Sequence, residues 1–301
     1  MTAPLLEPAQ VAWRFFDAEV ASARRLSPAF VRLTLTGPDL DDFADNGFDQ
    51  RFKLVLPDTH GSYDALPRHH DWYAAWRQLP DDRKNPIRTY TARAVRPGRR
   101  EVDVDLVLHG DGGPASRFAR RAAVGDRLVV LGPNALSDEP HGGLEFRPPT
   151  GHAGPLLLVG DATAVPAVLS ILEWLSSDCV GEVVLEVPEA EDFLDVPGSV
   201  GVRTTWLARN GGSSRLPGAV SDAVRRLAID VARPGRPTAV PEDEEDLWEV
   251  PDGGEADGLY AWIAGESSVV KELRRLLVRD LGIDRRSVAF MGYWRQGHAE
   301  L

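Results

Sequence analysis

Residues 156–167 read LLLVGDATAVPA, an apolar run that ends at a glycine and leads into residues with helical spacing. The run from Leu156 to Gly160 has no polar alternation, which predicts a strand buried on both faces. The apolar spacing that follows predicts a helix over residues 166–175. Further segments repeat this pattern, with predicted strands at 182–187 and 260–264 and a predicted helix at 269–281. Because strands here alternate with helices, we expect a parallel sheet covered by helices.

The first half of the chain shows the two-residue period of antiparallel strands instead. Along Glu101 to Leu108, apolar residues alternate with Glu101, Asp103 and Asp105, so we expect one face in a core and the acidic face in water. Other short strands are predicted at 31–36, 51–57, 88–95 and 126–131, with Gly, Pro and Asp turns between them. Such a set predicts a small antiparallel barrel, which we expect to have Greek-key connections.

The two patterns meet in the Gly- and Pro-rich stretch from Pro140 to Pro155. We therefore predict two domains, a β-barrel over residues 1–140 and an α/β domain over residues 152–301. Residues 233–258 contain the acidic run Glu242 to Asp246 together with many Pro and Gly residues, which predicts a mobile, solvated loop inside the second domain.

Composition argues against several classes of function. The net charge of -12 disfavours nucleic acid and anionic membrane surfaces as partners. The one cysteine, Cys179, rules out an intramolecular disulfide and a cluster held by four thiolates of this chain, and we predict no protein-bound metal. The N-terminus lacks the pattern of a signal peptide, and the apolar runs are too short to span a bilayer. We expect a cytoplasmic protein without stable membrane association.

Two motifs of the first half are candidates for cofactor binding. Residues 88–93 read RTYTAR. A flavin at a barrel face needs an aromatic neighbour, hydrogen-bond partners and a cation, which Tyr90, Thr91 and Arg88 supply. Residues 109–116 read HGDGGPAS and lead into a predicted helix, whose first N–H groups favour a diphosphate. An exposed strand and an ordinary Gly-rich turn remain the alternative explanations.

Three motifs of the second half lie at predicted strand ends. Gly160 to Ala167 occupies the place of a nucleotide diphosphate in open parallel sheets, or else is a capped helix start with Thr163 as the cap. Ala264 to Ser268 ends a second strand of the same sheet, and two such ends form a crevice. The aromatic residues of Phe290 to Gly297 either pack in a core or cover a planar cofactor.

Taken together and in this order, these motifs resemble the siderophore-interacting protein family, a branch of the ferredoxin-NADP reductase-like flavoproteins. The resemblance is carried by residues 88–93, 105–116, 125–126, 132–133, 160–167, 261–266 and 292–295. It implies an FAD-binding barrel, a C-terminal NAD(P)H-binding domain and ferric siderophores as substrates.

The resemblance also implies roles for individual residues. Those expected to bind the flavin are Arg88, Tyr90 and Thr91, and those expected around its ribityl chain and diphosphate are His109, Gly110, Pro114, Ala115 and Ser116. Those expected at the nicotinamide junction or crevice are Asp161, Thr163, Ala164, Gly265, Glu266 and Trp294. Lys53 and Arg295 would belong to a cationic patch for the anionic siderophore. Gly297 stands where the family has a further cation, and Ala162 where it has an acidic residue.

Electron counting defines the expected reaction. A nicotinamide delivers a hydride whereas iron(III) accepts one electron, and a flavin converts between the two, so no catalytic acid–base pair is expected. The sequence leaves NADH and NADPH both open as donors, although Glu186 or Glu189 after a strand would favour an unphosphorylated ribose. Two alternatives also stay open: a general flavin reductase or electron donor to a protein partner, and a non-catalytic flavin- and siderophore-binding module.

Overall fold

The computed structural model describes residues 11–108, 113–197, 200–227, 247–251 and 255–297. These residues form two compact units, which divide between Gly143 and Leu144 except that residues 27–29 group with the second unit. The functional division predicted between residues 1–140 and 152–301 stays a prediction. Within the described residues no helix is both long and apolar enough to cross a bilayer.

The first unit is built on one antiparallel sheet. Its strands are β1 (Trp13–Arg25), β2 (Phe30–Thr36), β3 (Arg51–Val55), β4 (Ile87–Thr91), β5 (Ala94–Arg96), β6 (Glu101–Val107) and β7 (Arg127–Pro133), and its helices are α1 (Trp72–Arg77) and α2 (Pro114–Arg121). The strand order is β4-β3-β7-β1-β2-β6-β5. Each neighbouring pair is antiparallel.

The sheet curls because its two edge strands follow one another in the chain. Only Ala92 and Arg93 separate β4 from β5, so the Cα atoms of Thr91 and Ala94 lie at most about 11 Å apart. Ala92 N donates to Gln50 O at 2.8 Å, and Arg93 N donates to Asp103 O at 2.9 Å. The inner face carries one apolar core that includes Phe16, Leu33, Phe52, Val104 and Val130. This arrangement confirms the predicted antiparallel barrel.

The acidic face of β6 is buried, so the prediction that it lies in water is wrong. Asp103 and Asp105 are 6% and 2% exposed. Arg96 donates to both Asp103 oxygens at 2.9 and 2.7 Å, and Thr34 Oγ1 donates to Asp103 Oδ1 at 2.7 Å. Arg32 binds Asp105 in the same two-pronged way, at 2.6 and 2.7 Å. Arginines from neighbouring strands cover these carboxylates, which strand alternation alone does not reveal.

The second unit is a mostly parallel sheet with helices, as predicted. Its strands are β8 (Leu156–Asp161), β9 (Gly181–Val187), β10 (Val202–Ala208), β11 (Trp248–Glu249), β12 (Tyr260–Glu266) and β13 (Val288–Trp294), and its helices are α3 (Val165–Trp174), α4 (Leu216–Arg226) and α5 (Ser267–Arg274). The strand order is β10-β9-β8-β12-β13-β11. Only β11 runs antiparallel to its neighbour, and the order reverses between β8 and β12.

Two boundaries in this unit differ from the prediction. The last helix begins at Ser267 rather than residue 269, and a π-helical turn, Arg275–Asp280, follows it. The predicted solvated loop at 233–258 is wrong for Trp248 and Glu249, because they form β11 and pair with Met291 and Phe290. Residues 233–246 and 252–254, with the acidic run, lie outside the described residues.

The pairing of Asp103 with Arg96 leads to a stability prediction. Burial raises the pKa of Asp103, but the hydrogen bonds from Arg96 and Thr34 outweigh it and hold the pKa below its usual value. We expect Arg96→Ala to lower the free energy of unfolding by about 2 kcal/mol at pH 7 in a urea titration, because it leaves a buried carboxylate without its cation. That loss lies below the range for fully buried pairs because the Arg96 side chain is 31% exposed.

The same pair fixes the pH dependence. A carboxyl group with a lowered pKa in the folded state contributes stability above its unfolded pKa of about 3.9, and this contribution is lost as the pH falls through the folded pKa. The difference between wild type and Arg96→Ala should therefore shrink in acid. Arg286→Ala is the matched control, since Arg286 and Asp284 are 77% and 51% exposed, and it should cost less than about 0.5 kcal/mol. Equal losses from both variants would contradict the assignment.

Candidate functional site

Three strand ends of the second unit carry the residues predicted to line a nucleotide crevice. The parallel strands β8, β12 and β13 end at Asp161, Glu266 and Trp294. Their carboxyl ends meet at one edge of the sheet, and the strand order reverses between β8 and β12. Ligands of open α/β sheets bind in the crevice at such a reversal. The structure therefore places this predicted set at the edge where a nucleotide is expected.

The Asp161 carboxylate binds all three strand ends together. Its Oδ1 accepts from Thr163 N at 2.9 Å and from Thr163 Oγ1 at 2.6 Å. Its Oδ2 accepts from Glu266 N at 2.8 Å and from Trp294 Nε1 at 2.8 Å. The residue is 4% exposed. Four hydrogen bonds to one buried carboxylate fix the relative positions of the three strand ends.

Gly265 makes room for that carboxylate. Its φ is +150°, which L side chains rarely adopt, and a Cβ atom there would lie 2.8 Å from Asp161 Oδ2. A second close approach occurs at Gly160, where a Cβ atom would lie 2.5 Å from Ala164 Cβ. Ala164 thus packs against the strand end and is fully buried. Gly265 is thus required by the Asp161 carboxylate, and Gly160 by the close packing of Ala164.

Thr163 does not cap the helix that follows, which corrects the alternative weighed for it. The N-cap of α3 is Ala164, and no side chain caps it. The Thr163 hydroxyl donates to Asp161 instead. This hydrogen bond to a carboxylate two residues earlier stabilises the turn before α3 and does not cap the helix. The structure thus makes Thr163 part of the Asp161 cluster.

Glu266 caps the helix α5. Its Oε2 accepts from Ser268 N at 2.7 Å and from Val269 N at 3.1 Å, and also from the Ser268 hydroxyl. Its Oε1 accepts from Gln296 N at 3.2 Å. Burial raises the pKa of Glu266, but these hydrogen bonds outweigh it and hold the pKa below its usual value. The start of α5 is therefore occupied by an anionic side chain of this protein.

The terminal aromatic residues have divided roles. Phe290 and Met291 are fully buried in the sheet. Tyr293 stacks on Trp248 with ring centroids 5.8 Å apart. Trp294 donates its indole N–H to Asp161 and is half-buried, and Arg295 after it is exposed. The core explanation is confirmed for Phe290 and Met291, whereas cofactor contact by Trp294 stays a prediction.

Glu186, considered for ribose binding, is occupied inside the protein. It is fully buried. Its Oε2 accepts from Arg209 Nε and Nη2 at 3.2 and 2.9 Å, and its Oε1 accepts from Arg215 N at 2.5 Å. Sequence patterns did not single out Arg209, whose signal would have been a cation directly after β10. We assign Glu186 to holding the loop before α4.

In the first unit, the RTYTAR motif forms β4 and the turn after it. Directly opposite residues of antiparallel strands project from the same face. Tyr90 lies opposite Phe52 and Arg88 opposite Leu54. Because Phe52 and Leu54 belong to the barrel core, Tyr90 packs at the margin of that core and is half-buried. Arg88 also donates to the Ile87 carbonyl at 2.8 Å.

The other face of β4 carries Thr89 and Thr91. Thr91 lies opposite Arg51 and is buried, and Thr89 lies opposite Lys53. Lys53 Nζ donates to Thr89 Oγ1 at 3.1 Å. Thr89 was not among the predicted site residues, although its spacing of two residues from Thr91 places it on the same face. The predicted flavin residues therefore occupy both faces of one short strand.

The start of α2 fits an anionic diphosphate. Pro114 is the first helical residue, Gly113 is extended at the N-cap, and no described side chain caps the helix. A Cβ atom on Gly113 would meet nothing closer than Ser116 Oγ at 3.9 Å. Ala115 and Ser116 are buried. Among the described residues no side chain bonds to the first N–H groups of α2, which suits the FAD diphosphate. His109 and Gly110 lie outside the described residues.

Comparison with known proteins identifies the family. Residues 19–137 match the siderophore-interacting FAD-binding domain, and residues 153–297 match the siderophore-interacting protein domain. Ferric vibriobactin reductase ViuB of Vibrio cholerae is 30% identical over 91% of this chain and 87% of its own length. This chain belongs to the siderophore-interacting protein family. The NADPH-dependent ferric-chelate reductase of Escherichia coli is a further relative, 29% identical over 93% of each chain.

Comparison with solved structures shows that this chain has a ferredoxin reductase-like fold. The siderophore-interacting protein SipS from Aeromonas hydrophila covers 96% of this chain at 30% identity, with a TM-score of 0.65 and 95% of its own chain matched. A siderophore utilization protein from T. fusca covers 97% of both chains at 28% identity, with a TM-score of 0.68. The ferredoxin reductase of carbazole 1,9a-dioxygenase shares the fold alone, at 15% identity and a TM-score of 0.59.

The close packing at Gly265 leads to a prediction. We expect Gly265→Ala to lower the free energy of unfolding by at least about 2 kcal/mol, because the new methyl group displaces the Asp161 carboxylate and weakens its bonds to Glu266 N and Trp294. Urea unfolding followed by tryptophan fluorescence measures this loss.

Gly218→Ala is the matched control. Gly218 lies in α4, and a Cβ atom there meets nothing within 4 Å. Alanine should raise the stability by up to about 1 kcal/mol, since it is the better helix former. A Gly265→Ala protein as stable as wild type would contradict the role given to the Asp161 contacts.

Proposed function

We propose that this chain is an FAD-dependent NAD(P)H:ferric-siderophore reductase that releases iron as iron(II). The observation that carries the proposal is the match along nearly the whole chain to a relative named ferric vibriobactin reductase, 30% identical over 91% of this chain. The start of α2, which no described side chain caps, and Tyr90 at the margin of the barrel core support FAD binding in the first unit. The strand-order reversal of the second unit supports nicotinamide binding there.

In this proposal the first unit holds and orients the flavin. Bound FAD accepts a hydride and passes on single electrons. Tyr90 gives its ring a flat neighbour, Thr91 and Arg88 supply polar contacts, and the first turn of α2 with Ala115 and Ser116 receives the diphosphate. Pro114 has no N–H group and sets the backbone of that turn. None of these residues needs to move a proton.

The second unit orients the nicotinamide. Asp161, Thr163, Ala164, Gly265, Glu266 and Trp294 form the edge against which it would bind. Asp161 acts through its neighbours, because its carboxylate accepts four hydrogen bonds from within the protein. We favour NADPH as donor on two grounds. A relative is an NADPH-dependent reductase, and the Glu186 carboxylate is occupied by Arg209 and so does not oppose a 2′-phosphate.

The substrate side depends on local positive charge. The chain carries a net charge of -12, which repels an anionic ferric siderophore over most of its surface. Lys53 and Arg295 supply cations in the two units, and their side chains reach solvent. Iron(II) binds the hard oxygen ligands of siderophores less tightly than iron(III), so reduction releases the metal. We place this reaction in the cytoplasm, where a chain with one cysteine keeps its thiol reduced.

Spectroscopy and rapid mixing test the proposal. Purified protein should show flavin absorption, or gain it when FAD is added. Anaerobic NADPH should then bleach that absorption, and a ferric siderophore should restore it. Bleaching without restoration, combined with rapid reduction of free flavin, would identify a general flavin reductase instead. A bound flavin that neither NADPH nor NADH bleaches would identify a non-catalytic binding module.

The role of Lys53 leads to a prediction. We expect Lys53→Ala to raise the KM for an anionic ferric chelate by about five- to tenfold at low ionic strength, because a close cation next to the chelate is lost. The oxidation of NADPH by a neutral quinone should change by less than about twofold, since it does not need that cation.

Lys84→Ala is the matched control. It removes the same charge from a residue that pairs with the exposed Asp81 at 3.1 Å. We expect no change in either reaction. Equal effects of Lys53→Ala on the chelate and the quinone would contradict a role in substrate binding.

A further inference from the structure

The chain contains two asparagine–glycine pairs, Asn46–Gly47 in the first unit and Asn210–Gly211 in the second. The side-chain amide of an asparagine can be attacked by the backbone nitrogen of the next residue. Glycine hinders this attack least because it has no side chain. The attack also needs an amide that is able to move toward that nitrogen. The surroundings of the two amides therefore decide which pair reacts.

The amide of Asn46 is held by two neighbours. Its Nδ2 donates to Gln50 Oε1 at 2.5 Å. The Nε2 atom of His141 donates to the Asn134 carbonyl at 2.8 Å, so Nδ1 of a neutral ring accepts from Asn46 Nδ2, at 3.1 Å. Asn46 is half-buried and Gly47 is buried. An attack at this pair therefore has to break two hydrogen bonds inside a packed turn.

The amide of Asn210 is not held in this way. Asn210, Gly211 and Gly212 are all exposed. No described residue hydrogen-bonds the side-chain amide of Asn210, and no described residue accepts a hydrogen bond from Gly211 N. The amide that would react and the nitrogen that would attack it are thus both available at this pair.

The second pair lies at the centre of a tight turn that follows β10. Asn210 has a φ of +50° and Gly211 a φ of +74°. Gly212 N donates to the Arg209 carbonyl at 2.9 Å, and with the positive φ values this bond is typical of the type I′ turn that favours Asn–Gly. Asn210 N also donates to Pro188 O at 2.9 Å. The backbone geometry thus favours this pair, and an exposed turn closed by few hydrogen bonds opens readily.

The products of the attack follow from the chemistry of the amide. Gly211 N loses its proton and forms a bond to Asn210 Cγ, while the Nδ2 group leaves as ammonia. Water then opens the resulting cyclic imide at one of its carbonyls. Opening gives either aspartate or isoaspartate, in which the main chain runs through the former side chain. No oxidant or reductant takes part, and both products carry a negative charge that asparagine lacks.

The new charge would arise beside the Glu186–Arg209 pair. Arg209 precedes Asn210 and donates to Glu186 Oε2 at 2.9 Å. A carboxylate at residue 210 competes with Glu186 for this cation. Because β9 and β10 run parallel to β8, their carboxyl ends lie at the same edge of the sheet as Asp161. The modification therefore adds an anion at the edge where a nucleotide with several phosphates is expected.

We propose that Asn210 is a site of spontaneous deamidation and that its product lowers the affinity of the second unit for NADPH as the protein ages. The effect on binding rests on the proposed function, whereas the modification itself does not. Asn46 stays intact in the folded protein although it precedes a glycine too. Local structure, and not the dipeptide alone, thus selects the reactive residue.

Mass spectrometry of aged protein tests the modification. Folded protein is incubated at mildly alkaline pH and digested with pepsin in acid, and the converted fraction of each asparagine is followed with time. We expect Asn210 to convert at least about tenfold faster than Asn46, because the Asn46 amide must first break its hydrogen bonds. In urea the two should convert at similar rates, since the fold no longer separates them. Equal rates in the folded protein, or no conversion at Asn210, would overturn the proposal.

Two variants test the effect on binding without ageing. Asn210→Asp carries the charge of the product from the start, whereas Asn210→Gly is neutral, tolerates the positive φ and cannot deamidate. With isothermal titration calorimetry, we expect Asn210→Asp to raise the Kd of NADP⁺ by about two- to fivefold at low ionic strength and less in high salt. Asn210→Gly should bind as wild type does.

The outcomes separate this inference from the proposed function. An Asn210→Asp protein with the Kd of Asn210→Gly would overturn the effect on binding. A wild-type protein that converts at Asn210 but binds neither NADP⁺ nor NAD⁺ would contradict the proposed function and leave the modification site standing.

Discussion

One buried carboxylate determines how the second unit presents its crevice. Asp161 accepts four hydrogen bonds from the turn after β8 and from the ends of β12 and β13, and a side chain at Gly265 would collide with that carboxylate. The pieces that look separate in the sequence, GDATAVPA, AWIAGE and GYWR, are thus parts of one polar cluster. A buried carboxylate without these donors would be strongly unfavourable, so the three motifs have to occur together.

The first unit combines an apolar barrel core with buried acidic residues on β6. Its inner face is apolar, and the acidic residues of β6 are neutralised by arginines. A flavin converts between hydride and single-electron chemistry, which is the role we propose for FAD between the nicotinamide and the ferric siderophore.

Much of this architecture follows from sequence pattern alone. The strands β8, β9 and β12 and the helix α3 were predicted, because runs buried on both faces leave an unambiguous apolar signal. The edge strand β10 and the long β1 were missed, since half-exposed strands with mixed polarity leave a weak one. The burial of Asp103 and the capping by Glu266 depend on partners distant in sequence. The flavin roles of Tyr90 and Thr91 were predicted from their residue types, whereas the role of Lys53 came only from family resemblance.

The most direct test of the account counts electrons. Protein loaded with FAD, freed of unbound flavin and kept anaerobic, receives a limiting amount of NADPH together with excess ferric siderophore and an iron(II) trap. Charge balance requires two iron(II) ions for each NADPH oxidised, with release of one proton, and the account predicts that ratio without added free flavin. Iron(II) that forms only when free flavin is supplied, or NADPH oxidation without trapped iron(II), would contradict it.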